Sequence, residues 1–224
     1  MTGREGKRAS SEREGSQRER GARRAGRPAA PRGGADMGGV PGSLAEERAQ
    51  PVQPPWEVLP DYQCFGCSPH NPAGLRLRFW ESVDGDGLEA PLVFGRAHES
   101  YPGVVHGGIV VTVCDEIMGN LLVLRTGVTH FTVTLRTRFL APLAVGTAYR
   151  CVATVRSETG AGGQRQAAAE VLDETGRTVA SATGTYQPAS AEAVRQHFTL
   201  SDADRQLLDG AMSTSEHMRG RDPG

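Results

Sequence analysis

Two carboxylates, Asp115 and Glu116, stand side by side in YPGVVHGGIVVTVCDEIMG (Tyr101 to Gly119), a stretch otherwise built mostly from valine, isoleucine and small residues. His106-Gly107-Gly108 opens the same stretch. If it is helical, the two glycines lie in the first turn. There the backbone N–H groups lack intrahelical acceptors and the helix dipole is positive. Glycine lets a carbonyl or oxyanion approach that backbone, which is what an oxyanion hole requires. Asp115 and Glu116 are the candidate bases. At helical spacing Asp115 neighbours Gly108, Thr112 and Gly119, all small, whereas Glu116 neighbours Ile109 and Val123 as well as Thr112 and Asn120. Asp115 therefore has the better-shaped recess. Gly108 and Asp115 are separated by about 10 Å along the axis. One chain's helix start is then too far from its own Asp115 to share a carbonyl with it. This spacing predicts a dimer in which the helix start faces Asp115 of the partner subunit. Structure without chemistry is the competing reading: Gly-Gly before a helix is often a loop, and a histidine there often a cap.

A second chemical pattern is Cys64-x-x-Cys67. The spacing suits zinc or a redox pair, but no second Cys-x-x-Cys follows. His70 offers a third ligand and a fourth is missing, so a turn without metal is expected. Cys114 and Cys151 fall in apolar patterns, where a thiol acts as a small hydrophobe.

The elements that must position these residues can be read from periodicity. LRLRFW (Leu75 to Trp80) alternates as a half-buried strand. Asp84 to Gly87 turns the chain, and Leu88 to Phe94 is a second strand, with Pro91 marking an edge or bulge. The helix runs from about His106 to Arg125 and stops at Thr126-Gly127. Four strands follow: Thr129 to Leu140, Thr147 to Ser157, Gln166 to Glu174 and Thr178 to Gln187, separated in turn by Pro142 and Gly146, by GAGGQ and by TGR. SAEAVRQHF and SDADRQLLDGAM read as short capped helices, the second starting at Ser201. A helix apolar nearly all round must be buried. The expected fold is α+β: a curved antiparallel sheet of about six strands wrapped around one long central helix, the hotdog arrangement.

The 224 residues carry a formal net charge of −1, which gives no global field toward nucleic acid or anionic membrane. Residues 1–53 are rich in Arg, Gly, Glu and Ser and read as a disordered tail. Glutamates interleave with its arginines, which argues against a nucleic-acid arm, and Met37 is a second candidate start. Residues 54–188 form the expected domain, and residues 189–224 the short helices and a frayed end. No apolar run is expected to reach membrane-span length, and no apolar leader segment is visible. A cytoplasmic location follows as an expectation.

VVHGGIVVTVCDE resembles the central-helix motif of hotdog acyl-CoA thioesterases of the PaaI (phenylacetyl-CoA thioesterase) type, with His106 and Asp115 at the family's nine-residue offset. CFGCSPHNPAGLRLRF and FTVTLRTRFLAPL are similar to the same family's N-terminal segment and third strand. The resemblance spans about Cys64 to Tyr186. It implies hydrolysis of acyl-CoA to free acid and CoA, without metal or other cofactor. In that reading Asp115 is general base or nucleophile, and the N–H of Gly108, with Gly107, polarises the thioester carbonyl. His106 supports the substrate pocket, and Thr132, seven residues before Phe139, orients water. A homodimer or a homotetramer built as a dimer of dimers is implied. Arg136, Arg138 and Arg150 are candidates for the CoA phosphates. The Asn or Gln that some relatives carry upstream of the histidine is missing, and Glu99-Ser100-Tyr101 stands there. The alternative is a hotdog protein that binds acyl-CoA without hydrolysing it. A dehydratase is disfavoured, since His70 and His98 are the only spare upstream histidines.

Overall fold

A computed structural model describes residues 51–82, 85–158 and 163–214. The long helix α1 runs Gly107–Thr126, within a residue of the expected bounds. His106 caps it, and Gly127 ends it in the left-handed conformation at φ 66°, which a Cβ would oppose. Val110, Val113, Cys114, Ile117, Met118, Leu121, Leu122 and Leu124 are all buried.

Six strands form one antiparallel sheet around it: β1 (Trp80–Glu81), β2 (Gly87–Val93), β5 (His130–Phe139), β6 (Ala148–Glu158), β7 (Arg165–Leu172) and β8 (Thr178–Pro188), in the order β1-β2-β6-β7-β8-β5. This is the hotdog architecture. The strand faces explain why an alanine-rich segment such as QAAAEVL is a strand. Ala167, Ala169, Ala180, Ala182, Ala153 and Ala90 are buried with the large residues of α1 in a single core. Small side chains on the sheet let a thick apolar helix sit close to it. Each fully buried Leu or Ile of α1 contributes about 1.5–3 kcal/mol by leaving water.

Four features differ from expectation. The segment Leu75 to Trp80 alternates as expected, with Leu75, Leu77 and Phe79 buried, yet only Trp80–Glu81 is ladder. Arg76 takes a left-handed φ of 52°, and the N–H groups of Leu75 and Leu77 donate to Phe65 and Gly66 in the preceding loop. The backbone is thus satisfied by the Cys64-to-Cys67 loop rather than by a strand. A small hairpin, β3 (Glu99–Tyr101) and β4 (Val104–Val105), was not foreseen because each strand is too short to show a period. Val52 bridges to Phe79, so paired backbone begins ahead of Pro54. Finally, α1 is itself long and apolar enough to cross a membrane by length and composition, contrary to the sequence expectation; here the sheet covers its apolar residues.

Pro91 sits where β1 no longer covers β2, since β1 pairs only with Leu88 and Glu89. The missing N–H costs no ladder bond there. The C-terminal helices are α2 (Ala191–His197), capped by Ser190, and α3 (Asp202–Thr214), preceded by Ser201, whose hydroxyl accepts from the Asp204 N–H. Trp56, Phe198 and Phe131 meet edge to face, which ties the C-terminal segment to the start of β5. The tail through residue 50, most of the GAGGQ turn and the last ten residues lie outside the described residues.

Candidate active site

The two adjacent carboxylates of α1 point to different surroundings. Asp115, half-buried, meets β5 and β8. Its Oδ1 accepts from the Thr132 hydroxyl at 3.0 Å and from the Tyr186 hydroxyl at 2.9 Å. Its Oδ2 has no hydrogen-bond partner among the described residues. Asp115 and Thr132, 17 residues apart, are therefore brought together within one chain; the sequence reading had given Thr132 the role of orienting water. A β-bulge between Thr132 and Thr134 sets the register: Thr132 lies opposite Tyr186, and Leu135, Thr137 and Phe139 lie opposite Gly184, Ala182 and Ala180.

Tyr186 was missed. It is buried, and burial together with the Asp115 charge pushes its phenol far above the usual range, so it stays protonated and donates. Its ring occupies space that two glycines leave free. A Cβ on Gly184 would fall 2.5 Å from the Tyr186 ring, and one on Gly119 would just touch it at 4.0 Å. The small stripe beside Asp115 signalled open space next to it, but not which residue fills that space.

At the helix start His106 caps α1. Its Nδ1 accepts the Gly108 N–H at 2.9 Å. A backbone N–H can only donate, so Nδ1 is an acceptor and the neutral ring carries its proton on Nε2. The expected free donor at Gly108 is therefore engaged by its own cap. The Gly107 N–H has no acceptor among the described residues and is the open first-turn donor. Gly108 lacks a side chain for a clear reason: a Cβ would lie 3.0 Å from the His106 ring. A Cβ on Gly107 would press on Phe139 at 3.3 Å. The upstream position where some relatives carry an amide is occupied by Glu99, whose Oε1 accepts the Gly103 N–H and pairs with Arg96 at 3.7 Å. His98 is buried, with its Nδ1 accepting the Gly95 N–H; burial lowers its pKa.

The arginines lie elsewhere. Arg136 and Arg138 alternate with the helix-facing residues of β5 and so project from the outer face of the sheet. With Arg156, Glu170, Ser181 and Thr183 they line a shallow groove of about 350 Å³. Arg150 is not a free cation: it pairs with the buried Glu89 across β2 and β6 at 3.1 Å.

Glu116 turns to the N-terminal loop. Its Oε1 accepts from the Asn120 amide at 2.9 Å and from Cys64 Sγ at 3.3 Å. Burial, then the Cys64 charge, pushes the carboxyl up to about 7. The hydrogen bond from Cys67 pulls Cys64 down to about 5 against its burial, while the same bond and burial hold Cys67 protonated. Cys64 and Glu116 are thus shifted in opposite directions across their contact. Cys64 Sγ, Cys67 Sγ and a Glu116 oxygen all lie within 4.8 Å of one another, the one group of metal-ligating side chains found among the described residues. His70, the third ligand considered from sequence, is not part of it. Cys114 and Cys151 are both buried in the core, as expected.

Comparison with known proteins places this geometry. Residues 102–162 match the family model of the thioesterase superfamily. No curated protein matches by sequence. Among solved structures, a thioesterase superfamily protein is similar at 18% identity and a TM-score of 0.49, over 55% of this chain and 62% of its own, so this chain spans less than two thirds of it. A Streptococcus pneumoniae hypothetical thioesterase, solved with coenzyme A, is similar at 20% identity and a TM-score of 0.43, over 47% of this chain and 82% of its own. The E. coli PaaI protein from the phenylacetic acid degradation operon is similar at 17% identity and 0.42, over 46% and 73%. The segment that matches the thioesterase superfamily runs from the hairpin through the His-Gly-Gly helix start, Asp115 and Thr132, and its motif resembles the PaaI-type hotdog pattern.

Proposed function

We propose that this protein hydrolyses acyl-CoA thioesters to the free acid and CoA. The observation that carries the reading is the carboxylate of Asp115. Two hydroxyls hold one oxygen, and the other is left without a partner beside an exposed strand. That is a positioned base with a free lone pair, rather than a carboxylate consumed by an ion pair.

In the general-base form, Oδ2 takes a proton from water as the water oxygen bonds to the thioester carbon. The carbonyl oxygen becomes an oxyanion, stabilised by the Gly107 N–H and, from the neutral tautomer, by the His106 Nε2–H. Collapse breaks the C–S bond, and the CoA thiolate leaves and takes up a proton. In the nucleophilic form, Asp115 itself bonds to the carbon, the C–S bond breaks as the CoA thiolate leaves and takes up a proton, and water cleaves the resulting anhydride to return Asp115 and the free acid. Thr132 and Tyr186 hold the carboxylate in either case.

Gly107 and Asp115 lie at opposite ends of two helical turns, so the reading needs a second copy of this chain. Strand β5 supports it. It is an edge strand that exposes Phe131, Val133 and Phe139, with Leu140 exposed just beyond it, an unusual load of apolar surface for an unpaired edge. A second copy paired there would extend the sheet and bring its helix start toward Asp115. Four free thiols support the cytoplasmic reading. The outward groove of Arg136 and Arg138 is the proposed place for CoA phosphates arriving from outside the sheet.

The satisfied state of Asp115 Oδ1 also favours the alternative, a binder that holds acyl-CoA intact, because pairing removes the cost of keeping the charge. A panel of short, long and aromatic acyl-CoAs, followed by release of free thiol, separates the two. Turnover of at least one substrate supports hydrolysis. Saturable binding with no thiol release supports the binder.

A further inference from the structure

We propose that Cys64, Cys67 and Glu116 form a binding site for one thiophilic divalent cation of the zinc class, with water as the fourth ligand. The site joins the N-terminal loop to the middle of α1 and is separate from the Asp115 chemistry. It does not depend on the thioesterase reading.

The donor atoms are of the right type and are already gathered. Thiolate and carboxylate are zinc ligands at about 2.3 Å and about 2.0–2.2 Å. Tetrahedral geometry then puts two thiolates about 3.8 Å apart and a thiolate and a carboxylate oxygen about 3.5 Å apart. Here Cys64 Sγ and Glu116 Oε1 are 3.3 Å apart, and all three donors lie within 4.8 Å of one another. Small shifts of side chains would bring them onto one ion.

The supporting groups behave as a second shell should. The Gly66 N–H donates to Cys64 Sγ at 3.3 Å, and the Tyr62 hydroxyl lies 3.3 Å from Cys67 Sγ. Asn120 holds Glu116 Oε1. Gly66, between the two cysteines, is where the carboxylate rests: a Cβ there would fall 2.4 Å from Glu116 Cδ. The loop is fixed from its other side by the bonds from Leu75 and Leu77 to Phe65 and Gly66. Cys67 is 1% exposed, whereas Cys64 is only half-buried, so the water position and the entry path lie on the Cys64 side.

Binding deprotonates both thiols and changes no oxidation state. The test uses the full chain, purified under reductant, stripped with chelator and titrated with cobalt(II). One equivalent should produce thiolate-to-cobalt charge-transfer absorption and the intense visible bands of a tetrahedral ion. Zinc should displace it one for one. Cys67→Ser should abolish the charge-transfer band. Glu116→Gln should weaken cobalt binding at least about tenfold, the low end of what even outer-shell changes cost. Asp115→Asn should leave the affinity within about twofold. If Cys67→Ser fails to fold, as judged by circular dichroism, Cys64→Ser at the half-buried position replaces it. Absence of a charge-transfer band in the parent overturns the proposal. So does a band that survives loss of either cysteine, or isolation of the reduced-buffer protein with Cys64 and Cys67 joined as a disulfide that takes no metal.

Discussion

Asp115 and Glu116 are consecutive residues of one helix, yet they face different surroundings. A rotation of about 100° per residue sends one toward β5 and β8 and the other toward the Cys64-to-Cys67 loop. Asp115 is held by two hydroxyls on one oxygen and stays half-open on a strand edge. Glu116 lies against Gly66 and accepts a hydrogen bond from a thiol. The comparison shows that an acid in an apolar helix is defined by what the facing element supplies. Hydroxyls leave one oxygen of Asp115 without a partner among the described residues, whereas a thiol, an amide and a glycine enclose Glu116.

The division can be broken from the side of the space around Tyr186. Gly184→Ala places a methyl 2.5 Å from the Tyr186 ring, on a rigid strand. Overpacking of this kind costs about 1–3 kcal/mol, and displacing Tyr186 should misplace Asp115 enough to cost up to about a hundredfold in turnover. Thermal unfolding and acyl-CoA kinetics check both; a variant with unchanged turnover would show that Tyr186 is only packing. A comparable loss of stability but a smaller loss of turnover is expected from Tyr186→Phe, which keeps the ring and removes one donor to Oδ1. A hydrogen bond to a charged group is worth about 1.5–3 kcal/mol, so unfolding should shift down while cobalt binding at the Glu116 side stays unchanged. Thr132→Ala should cost less in stability, because Thr132 is exposed and water can replace it, and should lower turnover to a level between the parent and a variant lacking the carboxylate.

The smallest effect concerns pH. His98 is buried, and burial lowers its pKa from 6.5. Between the two values the unfolded chain binds one more proton than the folded one, so stability is present above about 6.5 and is lost as pH falls through the folded value. The melting temperature should decline below pH 6.5, and His98→Asn should flatten that decline. An equal decline in the variant would assign it to another group, with His130, also lowered by burial, the next to test.

Much of this fold was legible because its periods are long. The valines and leucines from Ile109 to Leu124 state a buried helix, and Gly127 states its end. The strands after it alternate over eight residues or more. Leu75 to Trp80 alternated equally well and yet forms little ladder, because alternation reports which side is buried and not which backbone partner is present. The motif singled out Asp115 and Thr132 but not the hydrogen bond between them. Tyr186 was not legible, since nothing along the chain says that β8 lies under Gly119. The third member of the cysteine cluster was sought nearby at His70, whereas the helix supplies it as Glu116, 49 residues beyond Cys67. The capped Gly108 shows the same limit at short range. The sequence marks a histidine at a helix start, and only the ring's position says whether it frees a donor or occupies it.

The central claim is that the Asp115 face performs thioester hydrolysis and the Glu116 face does not. Its most direct test is turnover of the best acyl-CoA by Asp115→Asn and Glu116→Gln, measured beside the parent with affinity and melting temperature recorded. General-base catalysis is typically worth about 10² to 10⁴ in rate. Asp115→Asn should therefore lose at least about a hundredfold in kcat with acyl-CoA affinity largely kept. Glu116→Gln should lose much less turnover, its effect appearing in stability instead. An Asp115→Asn protein that hydrolyses acyl-CoA as fast as the parent would contradict the account.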